Sequence, residues 1–296
     1  MARQHMTVPQ LAELACLMEV ACPKPGNVSP GKPFRYINEM TFAASAICAS
    51  EAFLDPDASV GAMVLEGVQA TQETVERNTN LGILLLLAPL VKTAHGGSLS
   101  REDVARTLSE LTAQDAADVY RAIRTAAPEG LGRSETYDIA DGAPPSLMDA
   151  MQAAAPWDSV AREYAKCYEI TFGATLPCLS RLWQEGRTLK SSLQQTALTL
   201  LSLFPDTLIA RKLGLPIAME VAADAKRALA VGGYYRREGR QIVLDLAMRL
   251  DDMDNRMNPG TTADLVAAGL FVFLYEEQRR TPLPDIIERW DAKIIC

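Results

Sequence analysis

Four short stretches of this chain hold side chains whose types and spacing could do chemistry. The first is Glu19 followed by CPKPGNVSPGKP at 22–33, which sets a carboxylate, an ammonium on Lys24 and the flexible Gly26 around one helix end. That group could orient a ligand or a metal, although proline and glycine stopping a helix beside an exposed Glu19–Lys24 pair explains it as well. The second is RNTNLG at 77–82, where Asn78, Thr79 and Asn80 precede an almost wholly apolar run. Side-chain amides there offer paired donors and acceptors for a base edge or ribose hydroxyls, while a helix cap alone accounts for one of them.

The third stretch, FPDTLIARKLG at 204–214, opens on Asp206 and closes on Arg211 and Lys212. An acid at a helix start and bases at its end are what the helix dipole favours. The same residues could be a metal ligand or base (Asp206) and phosphate ligands (Arg211, Lys212). The fourth, RMNPGTTADL at 256–265, has Asn258 as a candidate N-cap, Pro259 at the first helical position, and Thr261 with Asp264 in the [ST]-x-x-[DE] capping pattern. It also sets free backbone N–H groups, Gly260 and the hydroxyls of Thr261 and Thr262 at one helix start, a ready anion site. Asp264 would repel a bare phosphate, so a phosphate there calls for a bridging magnesium ion.

Composition narrows the chemistry further. Histidine occurs only as His5 and His95, which disfavours His-rich metal sites and Ser-His-Asp or Cys-His nucleophiles. General acid or base work then falls to Asp or Glu, and any metal should be a hard, oxygen-ligated ion. With 37 acidic against 29 basic residues the net charge is −8, so no overall field draws nucleic acid or an anionic membrane. The local cluster Arg236, Arg237 and Arg240 reads as a solvated helix end. The six cysteines (Cys16, Cys22, Cys48, Cys167, Cys178, Cys296) form no CxxC pair and read as reduced thiols. MARQHMTVPQ lacks the apolar core of a secretory signal, and the run 81–91 is too short to span a bilayer, so a soluble, cytoplasmic protein is expected.

The elements that must position these residues are helical almost throughout. Apolar periodicity predicts helices over 9–21 (capped by Thr7), 39–53, 58–76, 79–94 and 101–126, then, beyond a loop at 127–145, over 146–154, 158–185, 188–203, 206–213, 216–231, 238–253 and 261–279. Only 241–246 alternates as a strand would, and it fits a helix equally. The expectation is an all-α fold, a single compact multi-helix domain over 1–296; apolar faces continue on both sides of 127–145, and no fixed-period repeat appears.

Taken together, KPGNV at 24–28, NTNLG at 78–82, DTLIARK at 206–212 and PGTTADL at 259–265 give the chain a resemblance to the triphosphoribosyl-dephospho-CoA synthase family over roughly Leu11 to Phe273. The resemblance implies an all-helical transferase in which the 2′-hydroxyl of 3′-dephospho-CoA attacks the ribose anomeric carbon of ATP, adenine leaves, and the triphosphate stays on the ribose. Its product is the precursor of the prosthetic group of citrate lyase or malonate decarboxylase. It implies catalytic roles for Asp206, Asp264 and Glu19, with Asp206 and Asp264 sharing magnesium binding and base work. Lys24, Arg211 and Lys212 would hold the triphosphate, 78–80 would face the nucleoside, and Arg133 is a further phosphate candidate. Tyr36 stands where the family often carries Asp, with Glu39 nearby to compensate. NTNLG and PGTTADL depart from the NTHKG and PGGAADL of the citrate-lyase branch, which marks a divergent branch and leaves two other readings: ribosyl transfer to another cofactor precursor, or nucleotide binding without turnover. The partners implied are ATP, magnesium and dephospho-CoA or a related acceptor, and the chain could pair as a homodimer.

Overall fold

The computed structural model describes residues 5–251 and 255–291. Fifteen α-helices account for these residues, joined by short 3-10 turns and one π-helical turn, with no strand among them. In order they are α1 (Val8–Ala21), α2 (Glu39–Ser50), α3 (Val60–Val75), α4 (Leu81–His95), α5 (Arg101–Ser109), α6 (Ala113–Ala126), α7 (Leu147–Ala154), α8 (Ser159–Ala165), α9 (Leu176–Gln184), α10 (Leu189–Leu203), α11 (Thr207–Leu213), α12 (Leu215–Ala230), α13 (Arg237–Leu250), α14 (Gly260–Glu277) and α15 (Leu283–Glu288).

Local signals set many of the boundaries. Thr7 caps α1 in a capping box with Gln10, and the alternating stretch 241–246 is helical within α13. The expected end of that helix at 252–253, like Cys296, lies outside the described residues. Two expected helices are each divided. The 101–126 stretch breaks at Thr112, whose N–H and hydroxyl donate to Asp115 Oδ2 at 2.8 and 2.7 Å, while Asp115 Oδ1 accepts from Gly61 N at 2.7 Å. That second bond pins the new helix start to α3, a tie that periodicity cannot show. The 158–185 stretch breaks where Cys167 (φ 49°) and Tyr168 (φ 56°) turn left-handed, and it resumes through the π turn Thr171–Thr175.

The second break has a tertiary reason. Pro89 inside α4 has no N–H, so the Leu85 carbonyl loses its intrahelical donor. Tyr164 Oη donates to that carbonyl at 2.7 Å and Tyr168 Oη to the next one, Leu86 O, also at 2.7 Å. Tyr164 at the end of α8 thus supplies the donor that Pro89 withholds from Leu85 O, and Tyr168 ties the irregular chain that follows to the next carbonyl of α4. Helix α15, which apolar periodicity does not reveal, follows the same logic: just beyond it the carbonyls of Arg289 and Trp290 accept from Leu189 N (2.8 Å) and Lys190 N (3.0 Å), satisfying the start of α10.

Helices α4 and α14 lie side by side and are buried on nearly every face, with α1, α9 and α10 packed around α14. A smaller apolar cluster joins α11, α12 and α13 through Ile209, Val221, Ala225, Val243 and Leu246. Helix α10 belongs to both: Leu193 and Leu200 face the main core, Leu198 and Leu201 the second. Each buried leucine contributes roughly 2 kcal/mol, so this shared helix binds the two clusters into one body. Cys16, Cys22, Cys48, Cys167 and Cys178 are all free thiols. No helix among the described residues is long and apolar enough to cross a membrane.

One buried acid belongs to this framework. Glu163 in α8 is fully buried; Oε1 accepts from Thr171 N at 2.8 Å, and Oε2 has no partner. Burial pushes its carboxyl up from an ordinary 4.5 to about 8. The folded chain therefore holds this proton to higher pH than the unfolded one, so the stability it contributes is full below about pH 4.5 and is lost as pH rises to about 8. The melting temperature should fall by about 5 °C or more across that window, and Glu163→Gln, which cannot ionise, should flatten the fall. Matching slopes in thermal melts of the two proteins would refute this.

Candidate active site

A cavity of about 900 Å³ opens where the C-terminal end of α1 meets the starts of α4, α8 and α14, with α11 and the 127–139 loop completing its wall. The starts of α8, α11 and α14 are knitted together by side chains. Asp158 caps α8 through Oδ1, which accepts from Val160 N (2.8 Å) and Ala161 N (3.1 Å), and its Oδ2 accepts from Arg211 Nη1 at 2.7 Å. Ser159 N donates to Thr207 Oγ1 (3.3 Å), which donates on to Thr261 Oγ1 (3.1 Å).

Asp206 is the hinge of this arrangement rather than part of the wall. Its Oδ1 accepts from Leu208 N (2.9 Å) and Ile209 N (3.1 Å), and its Oδ2 from Thr262 N and Thr262 Oγ1, both at 2.8 Å. Only 2 % of Asp206 is exposed, and burial raises its pKa against the pull of these four bonds. The anion expected at the start of α14 is thus supplied by the protein itself. Neither Asp206 nor Thr262 lines the cavity. The N-cap of α14 is Pro259, and neither the Asn258 cap nor the Thr261–Asp264 capping box forms, because these side chains have partners or tasks elsewhere. Asn258 Oδ1 accepts from Lys212 Nζ at 3.3 Å, and a Cβ on Gly260 would stand 2.6 Å from Leu208, so Gly260 serves close packing.

Asp264, one turn further along α14, is different. It lines the cavity and has no hydrogen-bond or ion-pair partner among the described residues. Desolvation first, then the charges of Glu19 and Asp206, hold its pKa well above the carboxylate range, with Arg211 opposing. It can come this close to α4 only because residue 82 is glycine: a Cβ there would overlap the Asp264 carboxylate.

Glu19 also lines the cavity, in the last turn of α1, and Lys24 holds it. Lys24 Nζ sits 2.8 Å from Glu19 Oε1 in an ion pair off the line of a hydrogen bond, and donates to the carbonyls of Glu19 (2.5 Å) and Cys22 (2.8 Å). Two ammonium protons go to these carbonyls and the charge rests against Glu19, so Lys24 closes α1 and positions Glu19 on the cavity wall. Gly26 is likewise structural: it is left-handed (φ 74°), and a Cβ on it would stand 2.7 Å from Pro259. Asn27, beside it, lines the cavity and donates Nδ2 to Pro259 O at 3.3 Å.

The NTN cluster divides by depth. Asn78 is exposed on the cavity and its Oδ1 accepts from Leu81 N at 3.2 Å, capping α4 and leaving its amide nitrogen for a ligand. Thr79 donates to Ser45 Oγ (2.6 Å), and the buried Asn80 donates to Thr71 Oγ1 (2.9 Å), so these two also tie α4 to α2 and α3. Lys212 pairs with Glu129 of the 127–145 loop at 2.7 Å. Arg133 and Tyr36 line the cavity, whereas Glu39 begins α2 away from its wall. Sequence reasoning missed Asp158, Gly82, Asn27, Arg35, Arg77 and Trp157, all on this wall. Asn27, Arg77 and Gly82 fall within the stretches singled out above, and Asp158 carried the signal of a residue before a helix. Trp157, 54 % exposed, offers an open ring for a base.

The family model for ATP:dephospho-CoA triphosphoribosyl transferase (CitG) matches residues 5–282. The chain belongs to this transferase family. A crystal structure described as a triphosphoribosyl-dephospho-CoA synthase from Archaeoglobus fulgidus is similar to it, with 26 % identity and a TM-score of 0.61, over 79 % of this chain and 98 % of the other. No curated protein matches the sequence. The transferase moves the triphosphoribosyl group of ATP onto dephospho-CoA. The cavity lies at the upper end of the range for ligand pockets.

Proposed function

We propose that both nucleotides bind in this cavity and that Asp264 is the carboxylate at the reacting centre. The observation that carries this is a desolvated Asp264 with no partner of its own, set beside three helix starts and facing Glu19. The 2′-hydroxyl of dephospho-CoA attacks C1′ of the ATP ribose; the O2′–C1′ bond forms, the bond from C1′ to the adenine nitrogen breaks, and adenine departs carrying that electron pair and, in sum, the hydroxyl proton. Positive charge builds on the ribose as the base leaves, and an unpaired carboxylate in a dry site stabilises it. In its ionised form, which Arg211 and a cationic ribose beside it would favour, Asp264 has a raised proton affinity that suits it to receive the hydroxyl proton. Arg211, Lys212 and Arg133 lie on the wall as cations for a triphosphate, and Asn78 and Trp157 on the wall open to a base.

Magnesium would be held by Glu19 and Asp264, carboxylates on the same cavity wall. Asp206 has no oxygen to spare, and no group of three acidic, histidine or cysteine side chains among the described residues would cage a metal alone. An ion held there would take its remaining ligands from phosphate and water, as magnesium commonly does, and would neutralise triphosphate charge. The site of action is the cytoplasm, where ATP and CoA precursors are made available.

Incubation with ATP, magnesium and dephospho-CoA should release adenine in step with a heavier CoA derivative. Adenine release indifferent to dephospho-CoA, and responsive instead to another acceptor, would overturn the choice of acceptor.

A further inference from the structure

At the mouth of the cavity two arginines share one aromatic ring. The guanidinium carbon of Arg35 lies 5.1 Å from the Tyr36 ring centroid and that of Arg77 lies 5.5 Å from it. Tyr36 is 65 % exposed, and all three residues line the cavity. Arg35 comes from the loop between α1 and α2, and Arg77 from the residues just ahead of α4. Neither arginine has a carboxylate or hydrogen-bond partner among the described residues, whereas Arg211 and Lys212 on the same cavity are paired with Asp158 and Glu129.

Two like charges drawn to one exposed ring in an acidic protein repel each other, and an anion between them would relieve that repulsion. The ring limits the freedom of both side chains, so their forked donors are partly arranged in advance for a phosphate. We infer that Arg35, Tyr36 and Arg77 form the specificity site for the pyrophosphate of the acceptor nucleotide. This rests on the proposed binding of both nucleotides in the cavity.

The chemistry of the acceptor explains the placement. Its attacking 2′-hydroxyl must reach Asp264 on the cavity wall, its 5′-pyrophosphate sits one ribose away, and the pantetheine arm trails beyond. An acceptor entering adenosine first therefore leaves its pyrophosphate at the mouth, where these residues are. The triphosphate of ATP has its own cations in Arg211, Lys212 and Arg133, so the two phosphate groups would be read by separate sets of side chains.

The test is the double substitution Arg35→Ala with Arg77→Ala, assayed with each substrate varied in turn. KM for dephospho-CoA should rise about tenfold or more, with KM for ATP within about twofold, since only the acceptor loses its charge-assisted hydrogen bonds. Tyr36→Ala should share the defect in part and Tyr36→Phe should not, because the ring and not the hydroxyl collects the guanidinium groups. Unchanged KM values, or a rise confined to ATP, would overturn the inference. Calorimetric titration of wild type and double variant with dephospho-CoA alone separates the two levels. Turnover by the wild type with undiminished binding by the variant sinks the rim assignment and leaves the shared site standing; lost binding by the variant without wild-type turnover does the reverse. A wild type that neither binds dephospho-CoA nor turns it over sinks both.

Discussion

Gly82→Ala should abolish most turnover and leave the fold as stable as before. Alanine is a better helix former than glycine by about 1 kcal/mol, so the backbone of α4 gains if anything. The added Cβ, however, would occupy the space of the Asp264 carboxylate. A carboxylate on a flexible side chain can swing away at little cost in stability, but it then leaves the point where ribose charge develops. Adenine release should fall at least about a hundredfold, equivalent to roughly 3 kcal/mol of transition-state stabilisation, while the melting temperature holds or rises. Asp264→Asn should be worse, about a thousandfold, because the ionisable group is removed altogether and not merely moved aside. A Gly82→Ala enzyme with near-normal rate would mean that Asp264 is not at the reacting centre.

Asp206→Asn should behave in the opposite way. Its amide oxygen can still cap α11, but the amide nitrogen then confronts the Thr262 N–H, donor against donor, in a buried place. Lost charge-assisted bonds and an unsatisfied buried donor together cost about 3 kcal/mol, and Asp206→Ala, which strands three backbone N–H groups, costs more. Thermal unfolding should shift down by about 6 to 12 °C, with turnover per folded molecule largely retained below the transition. An Asp206→Asn protein of unchanged stability but without activity would return Asp206 to the chemistry and remove it from the framework.

The contrast between these two aspartates shows how far the sequence can be read. Both stand at helix starts beside threonine hydroxyls, and both carry the family resemblance. What separates them is partnership at a distance: Asp206 meets a threonine 56 residues away, while Asp264 meets a glycine that makes room and donates nothing. Lys24 repeats the lesson. Its type and loop suggest a phosphate ligand, yet the carbonyls of its own helix end take its protons. The broken helices follow suit: Thr112 and Asp115 carried a capping pattern, but Cys167 and Tyr168, neither glycine nor asparagine, gave no sign of left-handed backbone, and the Tyr168 hydroxyl finds its partner, Leu86 O, on another helix.

The sequence by itself determined the helical class, the caps of single helices and the four stretches from which the family could be read, because periodicity, capping and motif spacing are local. Tertiary structure decided which charged groups face the cavity and which are consumed in holding it open. A charge buried in a fold takes whatever partner the packing brings to it, and that partner is rarely a neighbour in the chain.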